Sequence, residues 1–288
     1  MFSLQQYKTQ RASRTAFSLL RCSVLALGVT ALAGCSFDEE PGNNSITGYI
    51  ANGPVEGASC TLQRASDGST LVGPVTSSAG AVDFGHINLT GFMYVSCSGG
   101  SYTDDATGIT IDPASTLRSG KFVSGSTHFV ISPLTEIAML MAEAGDGIVS
   151  DIANANSIVA DQFGLANVDI TSVNPTDMSV ATAGDDAPGW YATALAAISL
   201  AAVDTDGDAS NGPEVDPSSD GLDTLLAELA TAASEGDITS TMVDEALANI
   251  KNGEINSDNG FAAGAPLVMN GSGVAGDVAD GLGTGNDG

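Results

Sequence analysis

The chain has 288 residues, 35 acidic and 8 basic side chains, a formal charge of −27 at neutral pH and only 5% aromatic residues. A surface this negative repels phosphate backbones and anionic headgroups, which argues against DNA or RNA as a partner. It suits solvation in saline water or the gathering of cations, and the length allows two modest domains.

Residues 1–34 read as a secretory signal. Lys8, Arg11, Arg14 and Arg21 precede a short apolar run from Val24 to Ala33, and no acid interrupts them. A basic start, a short apolar middle and small residues at the cut are the marks of such a leader. The run falls short of the roughly 20 apolar residues a membrane-spanning helix needs. Its end, Leu32-Ala33-Gly34-Cys35, resembles the lipobox of bacterial lipoproteins. The resemblance implies cleavage before Cys35, lipidation of that cysteine (palmitate among the acyl groups) and attachment to the membrane of a Gram-negative envelope. An ordinary cleaved signal with a chance cysteine is the alternative. Ser36 in place of aspartate resembles lipoproteins sorted to the outer membrane, whether facing the periplasm or the cell surface. Removing the leader takes away four of the eight basic residues and none of the acids. Arg64, Arg118, Lys121 and Lys251 then stand against 35 carboxylates.

Residues 35–44 form a short acidic tether, and residues 45–130 follow a period of two. Ile46–Ile50, Ser59–Gln63, Ala81–Phe84, Phe92–Cys97 and Gly108–Ile111 are predicted strands, separated by turn clusters such as Asn52-Gly53-Pro54 and Ser98-Gly99-Gly100. Short strands at this spacing predict an antiparallel β-sandwich. Once Cys22 leaves with the leader and Cys35 takes the lipid, Cys60 and Cys97 remain. Alternation puts Cys60 on the side of Ala58 and Leu62, and Cys97 on the side of Met93 and Val95. A disulfide across the core is expected; two buried free thiols are the alternative.

The stretch from Ile46 to Ala58, with Gly53-Pro54-Val55-Glu56-Gly57-Ala58 at its end, resembles the opening of a carboxypeptidase-regulatory-like or collagen-adhesin B-type repeat. Thr76–Phe84 matches a later stretch of the same modules. The resemblance implies a transthyretin-like sandwich serving as a spacer, stalk or binding platform.

At Ser132 the period changes. Ser132-Pro133 reads as an N-cap followed by proline at the first helical position, and Leu134, Ile137, Ala138 and Met141 share one helix face. Gly145-Asp146-Gly147 ends that helix. A second runs from about 148 to 163, with Gly164-Leu165 as a glycine C-cap and its hydrophobic follower. Further helices open at Pro188, around Leu222–Leu229, and at Thr241 with Asp244 in a capping-box-like start. Residues 131–255 therefore make a separate C-terminal α-helical domain, and the chain is α+β. Residues 256–288, rich in Gly, Asn and Asp, read as a flexible acidic tail. Ser101–Gly108 and Ile131–Ala138 resemble segments of uncharacterised proteobacterial surface lipoproteins, whose order of sandwich, Pro-Leu-Thr helix and Ala-rich helices is the order here. That resemblance implies no enzymatic activity.

The best metal candidate is the loop Asp204-Thr205-Asp206-Gly207-Asp208, continuing to Glu214 and Asp216. Alternate carboxylates converge on calcium, which takes six to eight oxygens. The match to an EF-hand loop stops there: Ala209 stands where the sharp turn needs glycine, and Val215 where a bidentate glutamate belongs. A solvated acidic turn is the alternative. Tyr102-Thr103-Asp104-Asp105, with Asp112 nearby, reads as a turn between edge strands or a second cation site. His86 and His128 lack partners at zinc-ligand spacing and are expected to be partly buried hydrogen-bonding residues. Trp190 and Tyr191 are expected in the core. Neither a Gly-x-Ser-x-Gly elbow nor a phosphate-binding loop with its lysine occurs. These readings converge on a lipid-anchored, non-catalytic module that binds or displays to a protein or extracellular polysaccharide. The alternatives are an accessory subunit of an outer-membrane transport or assembly complex, and a hydrolase with an unrecognised site.

Overall fold

The computed structural model describes residues 44–105, 110–178, 186–203 and 220–235. Strands come first: β1 (Ser45–Ile50), β2 (Ser59–Arg64), β3 (Thr70–Thr76), β4 (Ala81–His86), β5 (Gly91–Ser98), β6 (Tyr102–Thr103), β7 (Thr110–Ile111), β8 (Leu117–Val123) and β9 (Thr127–Ile131). Helices follow: α1 (Pro133–Ala144), α2 (Ile148–Gln162), α3 (Ala187–Val203) and α4 (Asp220–Glu235). The chain is α+β.

One sheet has the order β4-β1-β9, a second β3-β2-β5-β8, and β6-β7 form a two-stranded ribbon. Alternation sets the inward faces: Ile46 and Ile50 from the first sheet, Cys60, Leu62, Met93, Val95 and Cys97 from the second. The sheets are not wholly antiparallel as expected. β1 runs antiparallel to β4 but parallel to β9, with Gly48 opposite Phe129. Three strands escaped the period-two pattern for physical reasons. β3 is interrupted by Gly73-Pro74. β8 buries Ser119 between Leu117 and Val123 on one face and Gly120 on the other, so neither face shows an unbroken apolar alternation. β9 ends in Phe129-Val130-Ile131, all buried, so consecutive residues are apolar on both faces. Tyr102-Thr103, expected in a turn, pairs with Thr110-Ile111 as the ribbon.

β9 leads directly into α1 through a capping box. The Ser132 hydroxyl accepts from the Thr135 N–H at 3.3 Å, and the Thr135 hydroxyl accepts from the Ser132 N–H at 2.9 Å. α2 closes as the sequence indicates: Gly164 adopts φ +67°, its N–H donates to the Asp161 carbonyl, and Leu165 N–H donates to the Ala160 carbonyl. That pair of bonds is a Schellman motif. α3 is apolar nearly all round, as suits a helix surrounded by protein; Tyr191, Ala194, Ala197 and Ile198 are fully buried.

The change from strands to helices falls at Ser132, one residue past the end of β9, and it does not divide two cores. A single hydrophobic cluster runs from Ile46 and Leu62 through Phe129 and Ile137 to Tyr191 and Leu229. All described residues belong to one compact unit, Glu40–Gly288. The contact is close at Gly120, where an added Cβ would lie 2.8 Å from Met139 Sδ and 3.1 Å from Ile152 Cγ1. A bare backbone at that point lets α1 and α2 close on β8. The helix expected at 241–250 and the leader, tether and tail lie outside the described residues.

Candidate functional site

A small recess of about 30 Å³ opens where the strands meet the helical half, lined by Tyr49, Asn52, Asp105, Asp177, Leu195 and Ser199 among others. The Asn52-Gly53-Pro54 turn after β1 forms one lip. Gly53 sits at φ +86°, and a Cβ there would lie 2.5 Å from the Thr103 carbonyl oxygen, so only glycine lets this turn meet β6. Asn52 Nδ2 donates to the Tyr102 hydroxyl at 2.5 Å. Burial, and then the charge of Asp104, hold that phenol far above its ordinary range.

After Tyr102 the chain delivers Asp104, 5% exposed, and Asp105 into the recess. Asp105 Oδ2 accepts from the Met178 N–H at 3.1 Å, across 73 residues of sequence. Asp105 Oδ1 is buried and has no hydrogen-bond partner among the described residues. Burial, followed by the charge of Asp177, pushes the Asp105 carboxyl up to about 6. A group so placed exchanges a proton in mildly acidic solution and can then donate as well as accept. The opposite wall, Ala192, Leu195 and Ala196 of α3, is apolar. The recess thus sets a few polar groups against an apolar surface.

The remaining candidates fall as follows. Cys60 and Cys97 form a disulfide, with Cα atoms 4.1 Å apart. It does not span the core between sheets. The two cysteines are register partners on the adjacent strands β2 and β5, and their bridge points into the core. His128 has the expected role: Nδ1 meets Thr47 Oγ1 at 3.0 Å and Nε2 meets Asn174 Oδ1 at 2.8 Å. His86, at the end of β4, is instead exposed. Tyr191 is fully buried and Trp190 packs against the core. Cys35 and the acidic loop with Asp204, Asp206, Asp208, Glu214 and Asp216 lie outside the described residues. Among the described residues, no group of three His, Cys, Asp or Glu is arranged to hold a metal ion, and no helix is long and apolar enough to cross a membrane.

Two side-chain clasps join the strands to the helical half. Lys121 on β8 donates to the carbonyls of His128 and Thr171, the latter at 2.8 Å, and to Ser172 Oγ at 2.8 Å. Arg118 grips Glu136 of α1 through Nε and a 2.6 Å bond from Nη2, and reaches Glu143 through Nη1 at 2.5 Å. No local sequence pattern marks the recess. Asp104 and Asp105 were visible as an acidic pair, but Asp177 and Ser199 reach it only through tertiary packing. No protein-family model, curated protein or solved structure matches this chain.

Proposed function

We propose that the chain is a lipid-anchored protein of the bacterial cell envelope, held at the outer membrane through Cys35, that binds or displays to a partner and does not transform it. The observation that carries this reading is the buried Cys60–Cys97 disulfide. Structural disulfides persist in oxidising compartments. A leader ending in Leu32-Ala33-Gly34-Cys35 would deliver the chain to one, and these two cysteines are the pair left once Cys22 and Cys35 are set aside. The resemblance to stalk and platform modules supports a binding role. The recess between strands and helices gives that role convergent polar groups.

Metabolic labelling with a palmitate analogue tests the anchor. The wild-type chain is expected to carry the label and fractionate with the outer membrane, and Cys35→Ala to lose both properties. An unlabelled wild-type chain refutes the reading. Protease treatment of intact cells then separates a surface module, which is cleaved, from a periplasmic subunit, which is spared.

A further inference from the structure

We propose that Pro175-Thr176-Asp177-Met178 is a strap across the recess, latched by Asp105 and released when that carboxyl loses its proton.

These four residues lie between α2 and α3 and belong to neither helix nor strand. Thr176 N–H donates to the Pro188 carbonyl at 3.0 Å, at the start of α3. Met178 N–H donates to Asp105 Oδ2 at 3.1 Å, a bond that crosses from the helical half to the chain just past β6. Closed, the strap leaves the Met178 side chain only 3% exposed and borders the apolar wall of Ala192, Leu195 and Ala196. Irregular segments joined to the body by single hydrogen bonds open at lower free energy than a packed core.

The latch is built among like charges. Asp105 faces Asp177 from the strap, Asp104 from its own segment and the Tyr49 phenol from β1. α3 and the Asn52-Gly53-Pro54 turn bring no titratable group to the recess, and among the described residues no lysine, arginine or histidine lines it. Asp105 Oδ1 is buried without a hydrogen-bond partner among the described residues. An ionised Asp105 therefore accepts from Met178 while the neighbouring Asp177 carboxylate repels it. A proton on Oδ1 cancels that repulsion and leaves Oδ2 free to accept from Met178. Burial, then the charge of Asp177, hold the closed carboxyl at about 6, against an ordinary 3.8. Opening the strap hydrates the group and moves Asp177 away, which returns it toward the ordinary value. The proton's contribution to closure is thus complete below the ordinary value and is lost as pH rises through about 6.

Hydrogen exchange of the full chain, followed by NMR at the Met178 amide from about pH 4 to about pH 7, tests this. After correction for intrinsic exchange, Met178 protection is expected to fall about fiftyfold over that range, given a carboxyl at about 6 when closed and 3.8 when open. Sub-denaturing urea separates the strap from the whole chain. A local opening exposes little surface, so Met178 protection is expected to respond weakly to urea. Val130, whose buried amide donates to the Thr171 carbonyl, is expected to respond strongly. Asp105→Asn keeps an acceptor for Met178 and loses the charge; it is expected to hold protection level across the pH range. Asp177→Asn removes one repelling charge and is expected to reduce the fall without abolishing it. Met178 protection that stays constant over the pH range, a fall that persists in full in Asp105→Asn, or a urea dependence at Met178 equal to that at Val130 overturns the proposal.

Discussion

Replacing Arg118 with methionine probes the junction between sheet and helices most directly. Arg118 holds Glu136 by two atoms of its guanidinium, and the Glu136 side chain is only 8% exposed. Burial pushes the Glu136 carboxyl upward, the Arg118 hydrogen bonds pull it back, and the net direction remains up. Burial likewise opposes the charge on Arg118, but Glu136 and Glu143 outweigh it and drive that group higher. The pair is thus mutually compensating and nearly dry. Arg118→Met leaves the Glu136 carboxylate buried without its partner, a loss of about 3–5 kcal/mol at neutral pH. That is a large part of the roughly 5–15 kcal/mol that holds a domain together. The Glu143 bridge is 41% exposed on the acid's side, so its loss adds little.

The pH dependence has a defined sign. Glu136 binds its proton more tightly folded than unfolded, so its contribution is fully present below the unfolded pKa and is lost as pH rises through the folded one. Removing Arg118 raises the folded value further. Urea titrations of Arg118→Met should therefore show stability recovering as pH falls from neutral toward the ordinary carboxylate range, more steeply than wild type. Arg118→Met with Glu136→Met removes both charges and should restore most of the loss. A single-variant loss below about 1 kcal/mol, the range of exposed pairs, would refute the reasoning. So would a double variant no more stable than the single one.

Three further outcomes follow from the same geometry. Cys60→Ala with Cys97→Ala opens a link between residues 37 apart and should lower stability by about 4 kcal/mol on the chain-entropy relation, read as a fall in the urea midpoint; an unchanged midpoint counts against a structural role. Tyr191→Phe removes the hydroxyl that donates to the Ile170 carbonyl at 2.9 Å and meets Ser132 Oγ at 2.6 Å, which should cost about 1–3 kcal/mol by thermal melting. Asp105, raised to about 6, makes a contribution that is complete below the ordinary aspartate value and is lost as pH rises through about 6. Stability should fall across that window, and Asp105→Asn should flatten the slope.

How much of this was legible in the sequence depended on how local the cause is. Ser132-Pro133 announced α1 because capping and proline at the first turn act within four residues. Gly164-Leu165 announced the end of α2 for the same reason, since a Schellman motif is closed by its own chain. The Cys60–Cys97 pair was legible from alternation and counting, yet which strands lay side by side was not, so the bridge was expected across the core and is found within one sheet. β8 stayed hidden because its faces are specified by what packs on them. Gly120 is there to admit Met139 and Ile152, and Arg118 to meet Glu136. The recess was hidden more deeply, because the Asp105–Met178 bond joins segments that share no local pattern.

Arg118–Glu136, Lys121–Thr171 and Asp105–Met178 each tie the strand region to the helical half, and the core is continuous beneath them. Neither half can open without exposing part of the other's buried surface. The chain should therefore unfold as one cooperative unit, although its sequence changes period at Ser132. Trp190, the only tryptophan, reports from α3 in the helical half, while far-UV circular dichroism reports strands and helices together. The two signals should give coincident urea transitions, the test of two-state behaviour. An early fluorescence transition with much of the circular-dichroism change still to come would show that the helical half opens alone. The clasps would then hold two separately stable parts, and Arg118→Met would loosen the junction without lowering the stability of either.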